Sequence, residues 1–140
     1  MITELVGVAR AIAPVVSTIV MNSIGSYVSA RGAGLACPDW PLCPLEMDEL
    51  VILEFSHRAF ALVVLVSVIA VLIPAMRMGG LARKLAVTGV ILLIVQIAIG
   101  GVMVLSALRP ELVAVHMASA SSVLAVFAML AAHLIFGGKR

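Results

Sequence analysis

His57 and His116 each lie near the start of a long apolar run. An imidazole is costly to place in hydrocarbon, so two at matched depth point to a shared task. Neutral imidazoles are good ligands for iron. Two of them on facing helices would bind a flat macrocycle such as haem through both axial positions, giving a six-coordinate, low-spin centre suited to electron transfer. The plainer reading is that each histidine is hydrogen-bonded between helices. His133, with no partner histidine at its own level, reads as an interfacial or packing residue.

Glu54 precedes His57 by three residues and shares nearly the same helical face. It also precedes Arg58 by four, the favoured order for a helical ion pair. Two roles therefore stand open. The pair is a boundary salt bridge, or Glu54 faces the bound ligand and stabilises positive charge there while Arg58 grips a propionate through two parallel N–H bonds. Cys37 and Cys43 are the two cysteines of the chain, in the segment Cys37-Pro38-Asp39-Trp40-Pro41-Leu42-Cys43. Outside the cytoplasm a disulfide is their default state, closing a proline-stiffened loop as a lid over the outer end of the helices. The spacing is not the C-x-x-C of a catalytic dithiol, and two thiolates without a nearby histidine make a poor metal site. Trp40 reads as an anchor at the membrane interface.

These residues need elements to hold them. The chain has 140 residues, 64% hydrophobic and 11% charged, against about a quarter charged in a soluble domain. Four segments reach the roughly 20 apolar residues a bilayer demands: Val6–Ala30, Leu50–Met76, Leu85–Leu108 and Leu112–Phe136. The first runs on through Asn22, Gly25 and Arg31 without a small-residue cleavage site and reads as a helix rather than a signal peptide. The expected fold is all-α, an integral-membrane four-helix bundle forming one domain over residues 1–140, with an extracytoplasmic loop at 31–49. Arg10, Arg77, Arg83, Lys84, Lys139 and Arg140 fall on one side and Arg31, Arg58 and Arg109 on the other. That bias places both termini in the cytoplasm and both histidines in the outer half of the membrane. A formal charge of +2 implies no nucleic-acid partner.

The halves of the chain look related. Ser23-Ile24-Gly25-Ser26 overlays Ala98-Ile99-Gly100-Gly101, and the next helix of each half opens with His-x-Ala, at His57-Arg58-Ala59 and His116-Met117-Ala118. Two parallel-repeated hairpins would be related by an axis along the membrane normal, setting the histidines face to face. Small residues along the fourth helix, among them Ala114, Ala118 and Ser122, suit close helix packing and also leave room for a macrocycle.

Taken together, Gly34-Leu35-Ala36-Cys37-Pro38-Asp39-Trp40-Pro41-Leu42-Cys43, Glu54-Phe55-Ser56-His57-Arg58, the Gln96…Gly100-Gly101 pattern and His116 resemble the haem A synthase family. The resemblance implies oxidation of the C8 methyl of haem O to a formyl group, with haem b as an electron-passing cofactor and haem O as substrate. It implies His57 and His116 as iron ligands, Glu54 as the catalytic carboxylate and Cys37–Cys43 as a disulfide. Familiar members have eight helices in two homologous halves with a histidine pair in each, whereas this chain matches one half and offers one pair. A homo-oligomer, dimer or larger, is therefore expected, in the cell membrane, with a haem O synthase as a candidate partner. Two other functions compete: a membrane cytochrome b that only carries electrons, and a quinone-linked disulfide-forming protein, which the single cysteine pair disfavours.

Overall fold

A computed structural model describes residues 2–46 and 48–137. Lys139 and Arg140, two of the cations in the charge count, lie outside the described residues. Among the described residues the fold is all-helical, with four α-helices, α1 Ile2–Ala30, α2 Glu49–Met78, α3 Gly80–Leu105 and α4 Pro110–Phe136, and a short 3-10 turn at Ala33–Leu35. Each α-helix is long and apolar enough to cross a membrane. α1 packs on α2, α2 on α3, α3 on α4 and α4 on α1, so α2 and α4 face each other across the diagonal of an up-down-up-down bundle.

Helix limits differ most from expectation at α3. Hydropathy starts that helix at Leu85, after Arg83 and Lys84, yet it begins at Gly80. Charged side chains do not interrupt backbone hydrogen bonding, and the Arg83 amide donates to the Gly79 carbonyl. At its other end α3 stops at Leu105 instead of Leu108, because Ala107 and Leu108 turn into the left-handed region at φ 55° and 57°. The Leu108 amide returns to the Met103 carbonyl at 2.9 Å and closes the turn. Pro110 then opens α4 at a position where its missing N–H costs nothing.

Half of the bundle is filled by an apolar core: Val64, Val68, Val71 and Ala75 of α2, Ala82, Ala86 and Leu93 of α3, and Val123, Phe127 and Leu130 of α4. Their i, i+4, i+7 recurrence is the inward stripe of each helix. Large residues such as Leu62, Val66, Ile91 and Ile94 point outward and are exposed, the arrangement of a bundle whose surroundings are as apolar as its interior. α1 adds Val15 and Met21 at the edge of this core and buries Ala11, Ser17 and Thr18. Ser17 meets Ser67 of α2 at 2.9 Å. At the other end of the bundle Val28, Val51 and Val104 are buried alongside Glu54.

Candidate functional site

His57 lies eight residues into α2 and His116 six into α4, so both are roughly 9–12 Å inside the same end of the bundle at 1.5 Å per residue. Each is seated on a glycine of the preceding helix. A Cβ on Gly25 of α1 would lie 2.8 Å from His57 Cε1, and one on Gly100 of α3 would lie 3.1 Å from His116 Cε1. Gly25 and Gly100 are the glycines that the repeat overlays, so the two hairpins build equivalent seats for their imidazoles. His133 lies in the last turn of α4, remote from both.

The seats are not identical. Gln96 of α3, one turn before Gly100, meets His116 Nε2 with its amide nitrogen at 3.1 Å. The repeat sets Met21 at the equivalent place in α1. Nδ1 of both histidines is buried and without a hydrogen bond, as are Gln96 Oε1, Thr18 Oγ1 and Ser119 Oγ. Buried polar atoms are normally paired, so orphaned nitrogens on diagonal helices mark a place built for something further. The donor set fits haem: two imidazoles, one from each of two opposed helices, with nitrogen lone pairs to spare. Nε2 is the sterically accessible nitrogen for haem iron, since Nδ1 stands next to the side-chain attachment, so ligation by His116 would require Gln96 to release that atom. Among the described residues no group of three or more His, Cys, Asp or Glu gathers to hold a bare metal ion.

Glu54 is buried, 4% exposed, and forms the expected ion pair: Arg58 Nε donates to Glu54 Oε1 at 2.8 Å. A carboxylate withdrawn from water needs such a cation. Arg58 does more than pair. Its Nη1 donates to the carbonyls of Asp39 at 2.6 Å, Leu42 at 2.9 Å and Pro41 at 3.3 Å, and its Nη2 to that of Cys37 at 2.7 Å. All three guanidinium nitrogens are engaged, and the side chain ties α2 to the loop; a propionate grip, the other role open to Arg58, would require those bonds to be exchanged. Backbone carbonyls carry no signature in a sequence, which is why only the salt bridge was legible there.

Cys37 and Cys43 form the disulfide, S–S 2.05 Å across a separation of six residues. The loop is tied to α2 through Arg58 and reaches the C-terminal end of α3 and the turn that follows it. A Cβ on Gly101 would lie 3.0 Å from the Trp40 indole, and one on Gly34 would lie 3.0 Å from Leu108 Cδ1. Trp40, 42% exposed, thus keeps part of its ring outward, as an interfacial residue does, and lays the rest on α3. At the loop's far end Arg31 joins Glu49 at 2.5 Å and the Tyr27 hydroxyl at 2.8 Å. The Glu49 carboxylate is the main cause of a raised Arg31 pKa, and so exposed a bridge adds little stability.

Fold and site together define a membrane-type four-helix bundle with a diagonal histidine pair beneath a disulfide-closed loop. No protein-family model matches the chain. The chain is similar to protoheme IX farnesyltransferase of Haloarcula marismortui, with 31% identity over 116 residues. The alignment takes in 79% of this chain and 25% of that protein, so the chain spans about a quarter of the length of the relative it matches.

Proposed function

We propose that the chain is a haem-handling membrane enzyme of the haem A synthase type, in which His57 and His116 would hold the haem iron and the C8 methyl of haem O is the group oxidised. The observation that carries the reading is the diagonal pair of glycine-seated imidazoles, each with a buried unpartnered Nδ1. Partial likeness to a protein named for its action on protohaem supports haem as the ligand class. A match to a quarter of that protein brings no farnesyl-transfer chemistry with it. Oxidation of the methyl group rests on the family resemblance of the loop, of Glu54 to Arg58, of Gln96 to Gly101 and of His116.

Bound haem supplies one-electron transfer and an electron-deficient macrocycle. His57 of α2 and His116 of α4 would hold it, the loop would shield it from water, and the Glu54 carboxylate is held one turn from His57. With water as the oxygen donor, turning a methyl into a formyl group releases four electrons and four protons, so an electron acceptor outside this chain completes the reaction. The positive-inside bias sets the site in the outer half of the cell membrane, with both termini cytoplasmic.

One observation favours a second reading. Glu54 Oε1 is committed to Arg58, as it would be in a cytochrome b that carries electrons without altering its haem. Extraction and mass analysis of haems from protein co-expressed with a haem O source separates the two. Haem A or hydroxylated haem O is the expected result, and haem B alone in the presence of ample haem O contradicts it. Glu54→Ala should retain haem and lose the formyl product; undiminished product would reduce Glu54 to the ion pair.

A further inference from the structure

The disulfide closes the outer loop on itself, and something else must hold that loop to the bundle. Cys37 is fully buried and anchors one end. The arc from Pro38 to Leu42 is exposed throughout and touches the bundle with an apolar side chain at Trp40. Three of its carbonyls, those of Asp39, Pro41 and Leu42, together with that of Cys37, converge within 2.6–3.3 Å on the guanidinium of Arg58. Convergent carbonyl oxygens repel one another unless a cation sits among them. That cation is 14% exposed and is balanced by a Glu54 side chain at 6%, where low dielectric strengthens each bond. A lysine could not replace it: a planar fork reaches several acceptors at once, an ammonium on a flexible stem does not.

We infer that Arg58 is a positioning residue that latches the Cys37–Cys43 loop over the mouth of the imidazole pair, with Glu54 as its buried counter-charge. The latch is adjacent in sequence to His57. The loop it holds lays Trp40 on Gly101, the neighbour of the glycine that seats His116. The strap therefore spans from the His57 side of α2 to the His116 side of α3, and its closure is tied to both seats. That it covers a haem site rests on the function proposed above; the latch itself does not.

Trp40 is the sole tryptophan of the chain, so its fluorescence reports the loop directly in the full-length protein in detergent. Arg58→Gln alone strands a buried carboxylate and can unfold the chain for that reason. The test therefore uses Arg58→Gln combined with Glu54→Gln, and separately Cys37→Ser with Cys43→Ser, each checked for helix content. The latch predicts that removing both charges shifts Trp40 emission to the red and raises its quenching by acrylamide towards that of free tryptophan. It also predicts that the cysteine-free protein, with Arg58 in place, keeps Trp40 protected. Trp40 protection that survives loss of both charges overturns the inference. So does protection lost on removal of the cysteines alone, a result that decides the matter even if the charge-free variant does not fold. Because the readout needs no haem, absence of haem from every protein would sink the functional reading and leave the latch result standing.

Discussion

At the scale of single residues the site depends on what is missing as much as on what is present. Each imidazole occupies the space where Gly25 or Gly100 lacks a side chain. The atom that a new methyl would strike is the end of a ring, which can turn, rather than backbone, which cannot. Gly25→Ala and Gly100→Ala should therefore leave the fold standing, at a cost of about 0.5–1.5 kcal/mol for an off-rotamer ring, while haem content of the purified protein drops sharply. Unchanged haem content in both variants would mean that the seats do not orient the ligands. The histidines were legible in the sequence because a polar ring in an apolar run stands out by its cost. Their seats were visible only as a faint repeat, since pairing Gly25 with His57 and Gly100 with His116 needs the helices in place. Gln96 shows the limit: a glutamine in a membrane span signals a polar task, and which ring it serves depends on a one-turn offset along α3.

At the scale of elements, the four helices were legible from apolar length alone, and their ends were not. Hydropathy measures how much chain hydrocarbon accepts, whereas a helix ends where its backbone bonds are handed elsewhere, at Gly79 and at Ala107-Leu108 for α3. Helix contacts divide into two kinds that should respond differently to mutation. Phe127 is 1% exposed, and its ring fills the space over Gly89, so Phe127→Ala should cost about 3–5 kcal/mol, seen as a large fall in unfolding temperature in detergent. The Ser17 and Ser67 hydroxyls meet between α1 and α2, but each has one proton and the Pro14 and Val64 carbonyls of their own helices compete for it, so at most two of the three contacts are hydrogen bonds at once. Ser67→Ala should then cost only about 0.6 kcal/mol, the usual worth of such bonds between membrane helices. A loss as large as that of Phe127→Ala would place the bundle's stability in its polar contacts instead of its packing.

At the scale of the whole molecule, one chain provides one histidine pair, whereas the proposed chemistry employs a cofactor haem and a substrate haem. We propose that copies of the chain associate to supply both, each with its own loop and latch. Product should therefore form only in fractions where cross-linking or native mass analysis finds an oligomer, and full activity from a verified monomer would rule the assembly out. All of this presupposes that His57 and His116 bind one haem between them. The most direct measurement is the optical and paramagnetic resonance spectrum of the purified wild-type protein beside those of His57→Ala and His116→Ala. The account predicts a low-spin, bis-imidazole haem in the wild type, and in each variant either loss of haem or conversion to a high-spin, singly ligated form. A low-spin spectrum that survives either substitution, or a correctly folded wild type that takes up no haem, would contradict it.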